Sequence, residues 1–199
     1  EERKRLNAAF SHDLRNPITV LKGTVKLMRQ GIQDEQTIDR LESYTLRIEQ
    51  YVEAMSSVQR LEQLSVHPKA VALSVLQSEL QETARLLAGT KKYSLSVPSG
   101  GEVVLDHGIF LTVAENLIGN AARFAKSGLS IEAVLENGQL LLKISDDGPG
   151  YPPELIENGP KPFETASSNS SHFGMGLYSS RLLCEKHGGK LILENQSPA

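Results

Sequence analysis

The chain has no tryptophan, a single cysteine (Cys184) and only 5% aromatic residues in 199. One thiol cannot build a disulfide framework, so packing must hold the fold, and a reduced, cytoplasmic setting is expected. No apolar run approaches the roughly 20 residues a membrane span needs, and no leader-like stretch opens the sequence. A formal charge of −3 provides no electrostatic footprint for nucleic acid or an anionic membrane surface. Internal repeats are absent. The charged opening "EERKRL" and the ending "ENQSPA" suggest a piece of a longer protein. No direct membrane contact is expected of this portion, while a membrane-anchored parent stays open.

Two different periodicities are present. From Phe10 the apolar positions step by four and three through Leu14, Pro17, Leu21, Thr24 and Met28, flanked by Ile18, Val25 and Ile32. This is a heptad-like helical stripe. "QGIQDEQ" interrupts it, with Gly31 placed to close the helix. A second stripe runs through Ile38, Leu41, Thr45, Ile48, Val52 and Met55, widened by Tyr44, Tyr51 and Val58. Two helices joined by a short loop predict an antiparallel hairpin. Each stripe is too broad for a lone hairpin to cover, so a homodimer closing as a four-helix bundle is expected.

Pro68 in "LSVHPKA" ends the helical pattern. The spacing predicts a hairpin domain over 1–63, a linker over 64–69 and a second domain over 70–199. In that second part "AVAL", "YSLSV", "EVVLD" and "KLILEN" read as strands. "SVLQSELQETARLLAG" reads as a helix capped by Ser74 and closed by Gly89. "HGIFLTVAENLIGNAARFAK" is an amphipathic helix, and a last helix runs from Gly176 to Lys186. "LSIEAVLENGQLLLKISD" is a hairpin turning at Asn137-Gly138. Pro152 and Pro153 start a further helix. The fold class expected is α+β, with helices on one face of a mixed sheet.

Three segments of the second part carry candidate chemistry. In "ENLIGNAARF", Asn116 and Asn120 share a helical face and Arg123 lies one turn on. Two carboxamides and a guanidinium suit a metal ion and phosphate oxygens, and equally a solvated helix face. In "SDDGPGYPPEL", Asp146 ends a strand, and Gly148 and Gly150 allow a flat ligand to approach the backbone. Asp146 could accept from an exocyclic amine, and the plain alternative is a strand-to-helix turn. In "KPFETASSNSSHFGMGLYSS", a polar loop leads through Gly174-Met175-Gly176 into a helix start, where amides attract anions. It is either a lid over a ligand or a glycine-hinged loop.

The order of these segments is more telling than any one of them. Asn-x-x-x-Asn on a helix, Asp-x-Gly-x-Gly after a strand, Phe163, a polar lid and Gly-x-Gly-Leu closely resemble the ATP-binding domain of sensor histidine kinases. They are similar to its N, G1, F and G2 boxes, and "HGGKLILEN" fits the end of that domain. The family belongs to the wider group that includes gyrase, Hsp90 and MutL. "FSHDLRNP" is likewise similar to the H box of the dimerisation and phosphotransfer domain.

The resemblance implies ATP and Mg²⁺ as cofactors and a response-regulator receiver domain as partner. It implies that Asp146 reads adenine, that Asn120 is the main metal ligand with Asn116 beside it, and that Arg123 meets the phosphates. Gly148, Gly150, Gly174 and Gly176, with Leu177 following, would let backbone approach the nucleotide. It makes His12 the phosphoryl acceptor. Asn16 matches the position that orients water for dephosphorylation of the receiver, so a bifunctional kinase and phosphatase is expected. Relatives often carry basic residues in the lid. Residues 164–173 hold no Lys or Arg here, leaving His172 and nearby Lys161 as candidates. The strand that would follow "ENQSPA" in the family is missing from this sequence.

The residues of the first part agree with that assignment. Phe10 and Leu14 face the seam, so His12 falls at the solvent-facing f position, and Asn16 is one turn on along the same side. An imidazole with an ordinary pKa near 6.5 is largely neutral at pH 7. Its free nitrogen can attack phosphorus while Asp13 accepts the proton on the other nitrogen or orients the tautomer. Pro17 lacks an N–H, which frees the Asp13 carbonyl and predicts a local bend. Two other readings stay open. One is a gyrase- or Hsp90-like ATPase, whose general-base glutamate would stand where this chain has Asn116. The other is a nucleotide-binding dimerisation module without kinase activity.

Overall fold

The computed structural model describes residues 2–32, 36–162 and 174–196; within the first helix, the side chains of 2–9 and 11–13 are outside that description. Two compact units divide between Gln63 and Leu64.

The first unit is a pair of helices, α1 (Glu2–Arg29) and α2 (Thr37–Gln63). Asn16, Pro17 and Val20 of α1 meet Tyr44, Arg47 and Tyr51 of α2 around one pocket. Helices joined by so short a loop run antiparallel. Helix α1 passes through Pro17 without interruption. Thr19 and Thr24 donate their hydroxyls back to the carbonyls of Arg15 and Val20.

Phe10, Pro17, Tyr51, Ala54 and Val58 are buried, and Leu14, Leu21, Thr24 and Met28 are half-buried, so the α1 stripe is the seam. On α2 only part of the broad stripe forms the seam. The rows Tyr44–Tyr51–Val58 and Leu41–Ile48–Met55 face α1, whereas Ile38, Thr45 and Val52 are exposed. The physical reason is that one helix partner can cover only part of an apolar arc this wide.

The second unit comprises β1 (Lys69–Ala72), α3 (Leu73–Leu87), β2 (Lys92–Ser96), β3 (Glu102–Leu105), α4 (His107–Phe124), β4 (Gly128–Glu136), β5 (Gln139–Asp146), α5 (Pro153–Asn158) and α6 (Met175–Lys186). The main sheet has the order β2-β4-β5, with β2 parallel to β4 and β4 antiparallel to β5. β1 and β3 form a separate antiparallel pair. The mixed sheet with helices is the α+β architecture expected. The β4–β5 turn has positive φ at both Asn137 and Gly138 (51° and 77°), as a tight two-residue hairpin requires.

Alternation along β4 turns Leu129, Ile131 and Ala133 inward. They pack with Leu80, Ala84 and Ala88 around α3, and with Ala114, Ile118, Ala121 and Ala122 of α4. Small residues on α4 let that helix lie close to the sheet, which fixes the opposite face of α4 as a rim. Asp106 caps α4 by accepting from the Ile109 N–H at 3.1 Å. It also accepts from the His67 N–H at 2.8 Å, and its own N–H donates to His187 Nε2 at 2.7 Å. The His67 N–H foremost, then the Ile109 N–H, hold its carboxyl below the usual range.

Two expectations are corrected. Ser74 does not cap α3; the cap position is Ala72, without a side-chain bond, because β1 runs straight into the helix. The Leu73 N–H is instead taken by the Gly101 carbonyl at 3.0 Å. "KLILEN" forms no strand. Its end is anchored by side chains rather than a ladder: Asn195 bonds Tyr151, and Gln196 reaches Ser145. Among the described residues no helix is long and apolar enough to cross a membrane.

Candidate active site

Three segments converge at the rim of α4. Asn116 and Asn120 project from it half-buried, and Arg123 is exposed. Arg123 donates to Asn120 Oδ1 at 2.9 Å, and its guanidinium also lies over the Phe124 ring, 4.5 Å from the centroid.

Asp146 closes β5, exposed, and its Oδ1 accepts from the Gly148 N–H at 2.8 Å. That tight turn excludes a side chain at position 148. A Cβ there would lie 2.5 Å from Asp146 Oδ1 and 2.6 Å from the Phe124 carbonyl oxygen. Gly150 has φ +77°, and a Cβ on it would meet Asn195 Oδ1 at 2.7 Å.

Tyr151 links this turn to α4. The Asn120 side chain and the charge of Asp146 both act on its hydroxyl. Burial holds the phenol above its ordinary pKa, the Asn120 side chain opposes that, and the nearby carboxylate adds to it. Asn195 fixes the Tyr151 backbone at both ends: Oδ1 accepts from its N–H at 2.7 Å and Nδ2 donates to its carbonyl at 2.8 Å.

The first turn of α6 completes the rim. Gly174 sits in the left-handed region at its start, with Gly176 and Leu177 following. A Cβ added at Gly176 would lie 3.7 Å from Asn116 Oδ1, so the glycine borders that carboxamide. Lys161 is exposed beyond α5. Phe163, the polar lid at 164–173 and His172 lie outside the described residues.

The structure thus gathers Asn116, Asn120, Arg123, Asp146, Gly148, Gly150 and Gly176 at one edge of the second unit. Carboxamide oxygens are hard, neutral donors, and a guanidinium suits phosphate, so the set fits Mg²⁺ carried by a polyphosphate. Among the described residues no group of three or more His, Cys, Asp or Glu could hold a metal by itself. A metal here would therefore draw part of its coordination from the ligand. Tyr151, Asn195 and Asp147 were not singled out in the sequence. Asp147 follows Asp146 but turns the other way, accepting from the N–H groups of Lys126, Ser127 and Gly128.

In the first unit, His12 and Asp13 lie in the helical run of α1, their side chains undescribed. Asn16 is exposed and lines a 290 Å³ pocket with Pro17, Val20, Tyr44, Arg47 and Tyr51. Arg47, one turn from Tyr51 on α2, brings a cation to that pocket.

Two family models match the chain. One, described as "His Kinase A (phospho-acceptor) domain", matches residues 2–64. The other, described as "Histidine kinase-, DNA gyrase B-, and HSP90-like ATPase", matches residues 106–198. Sensor protein CseC of Streptomyces avermitilis is 29% identical over 177 residues, covering 89% of this chain and 34% of CseC. The nisin biosynthesis sensor protein NisK of Lactococcus lactis is 29% identical over 205 residues, 94% of this chain and 45% of NisK. Sensor histidine kinase CpxA of Escherichia coli is 24% identical over 200 residues, 96% of this chain and 44% of CpxA. The chain spans less than half the length of these relatives. The solved histidine kinase AdeS of Acinetobacter baumannii shares 25% identity at TM-score 0.55, covering 88% of this chain and 86% of that one. Histidine kinase ThkA, solved in complex with response regulator protein TrrA, is alike in fold: TM-score 0.67, 21% identity, 98% of this chain and 60% of that one.

Proposed function

This chain belongs to the sensor histidine kinases, as a phospho-acceptor domain followed by an ATPase-like domain, and from that premise we propose that it phosphorylates itself from ATP on His12. The observation that carries the proposal is the shared rim: Asn116, Asn120 and Arg123 beside Asp146 and its glycine turn, on one chain with "FSHDLRNP".

Asp146 would read the adenine amine with a carboxylate steadied by the Gly148 N–H. Asn120 Oδ1 would hold Mg²⁺ with Asn116 beside it, a charge that offsets the triphosphate. Arg123 would turn from Asn120 to phosphate oxygens. The glycines would keep backbone N–H groups open to the nucleotide. The neutral His12 imidazole would attack the γ-phosphorus. An N–P bond forms as the bond to the β,γ-bridging oxygen breaks, and ADP leaves with that electron pair. Asp13 would take or orient the proton on the other ring nitrogen. Catalysis is then mainly positioning and charge neutralisation.

The phosphoryl group would next pass to an aspartate of a receiver domain. Asn16, exposed beside the Arg47 pocket, would orient water for hydrolysis of the receiver's aspartyl phosphate, a separate phosphatase reaction that releases inorganic phosphate. The exposed rows Ile18–Val25–Ile32 and Ile38–Thr45–Val52 support a homodimer that buries them in a four-helix bundle. The reaction is assigned to the cytoplasm, where ATP is supplied.

Labelled ATP tests this. Wild type should acquire acid-labile, base-stable label. His12→Gln should keep nucleotide affinity and lose the label, and Asp146→Asn should lose both. Equal labelling of His12→Gln would refute the acceptor assignment. Steady ATP hydrolysis without phosphohistidine would point to the ATPase reading instead.

A further inference from the structure

The second unit begins at Leu64, and its first residues are fastened by three hydrogen bonds that close a ring. Lys186, in the last turn of α6, donates from Nζ to the Leu64 carbonyl at 2.9 Å. The His67 N–H donates to Asp106 Oδ2 at 2.8 Å. His187, which follows Lys186 at the end of α6, accepts at Nε2 from the Asp106 N–H at 2.7 Å. Asp106 is also the cap of α4, through Oδ1 and the Ile109 N–H. The segment Leu64–His67 is thus gripped by the end of one helix and the start of another.

The same two helices build the candidate site farther along. Helix α4 carries Asn116 and Asn120. Helix α6 opens at Gly174 and Gly176, and a Cβ on Gly176 would lie 3.7 Å from Asn116 Oδ1. α6 packs on α4, with Tyr178, Ser180 and Leu183 buried. A helix rises about 1.5 Å per residue, so the 12 residues of α6 span roughly 18 Å. A packed helix of that length moves as one body. Any displacement of its first turn against the nucleotide rim is therefore carried to Lys186 and His187.

We propose that α6 is a lever between the nucleotide rim and the segment that leads in from the helical hairpin: the Lys186–Leu64 and His67–Asp106–His187 bonds tighten when nucleotide meets the first turn of α6. This rests on the ATP-site reading given above. Coupling between two sites is reciprocal. A segment pulled off Lys186 and Asp106 then weakens nucleotide binding by the factor by which nucleotide tightens the grip. A lysine that only solvates the end of a helix would do neither.

The test uses the full chain, AMP-PNP with Mg²⁺, and hydrogen exchange of the His67 amide, which reports opening of its bond to Asp106. Saturating nucleotide should slow that exchange about fivefold or more in wild type, the low end of coupling between sites. Lys186→Met keeps the apolar stem and loses the donor. It should abolish the slowing and weaken AMP-PNP, measured by calorimetry, by no more than the factor seen in wild type. Lys186→Arg, which still donates, should restore both. His67 exchange in wild type that ignores nucleotide would overturn the proposal, as would full slowing in Lys186→Met. Faster exchange throughout the second unit of Lys186→Met, in the β4 amides as well as at His67, would make Lys186 a residue of general stability and overturn it too. Failure of wild type to bind AMP-PNP at all would refute the ATP-site reading, and the lever would fall with it.

Discussion

Ser127 gives the Asp147 carboxylate two hydrogen bonds, one from its backbone N–H at 2.9 Å and one from its hydroxyl. With the N–H groups of Lys126 and Gly128 also donating, this side chain staples the start of β4 to the loop that begins at Asp146. The hydroxyl bond of Ser127, then the N–H bonds, hold the Asp147 carboxyl well below the usual carboxylate range. The sign of the pH effect follows from that depression. The stabilisation is fully present above the unfolded-state pKa, about 3.9, and is lost as pH falls through the lower folded-state value. Asp147→Asn should therefore lower the melting temperature by a constant amount above about pH 5, and the gap should close as pH drops below 4. Thermal melts from pH 7 to 3 check this. A gap that stays constant across the range would mean the carboxylate charge does not stabilise the loop.

Gly148→Ala addresses the adenine end. The added methyl would fall 2.5 Å from Asp146 Oδ1 and 2.6 Å from the Phe124 carbonyl oxygen, so either the loop or the C-terminal end of α4 must move. Overpacking of this kind costs about 1–3 kcal/mol, and it displaces the carboxylate assigned to adenine. Nucleotide affinity should fall about tenfold or more, since each tenfold is about 1.4 kcal/mol. Gly100→Ala, where a Cβ meets nothing within 4 Å, should leave it unchanged. Titration with AMP-PNP distinguishes the two, and matching affinities would remove Gly148 from the site.

What could be foreseen depended on the range of the interaction. Helices α1, α2 and α4 follow from apolar spacing, and the β4–β5 turn from Asn137-Gly138, because these signals lie within a few residues. The G1-type segment was visible as Asp146-x-Gly148-x-Gly150 for the same reason. Tyr151, Asn195 and Asp147 were not, since the Tyr151–Asn195 pair spans 44 residues and the partners of Asp147 lie about 20 away and no spacing rule connects them. The acidic pair Asp146-Asp147 was the only local hint, and which of the two turns outward is decided by the N–H groups of residues 126–128. "KLILEN" misled because alternation reports β propensity, while a strand also needs a free ladder partner. Ile38 and Val52 belong to the α2 stripe yet lie outside its seam with α1, as a stripe too broad for one partner helix requires.

Val52 is 54% exposed and Ile38 62% exposed on the single hairpin, one on each side of Thr45 at heptad spacing. If the hairpin worked alone, Val52→Glu would exchange one exposed side chain for another, with an effect within about 0.5 kcal/mol. In a four-helix bundle the same change places carboxylates in an apolar seam, where an unpaired charge is costly. Sedimentation of wild type should give the mass of two chains, and Val52→Glu should shift it toward one. Helical content by circular dichroism should show that α2 persists. A variant that sediments with wild type would remove Val52 from the dimer seam, and a monomeric wild type would remove the bundle itself.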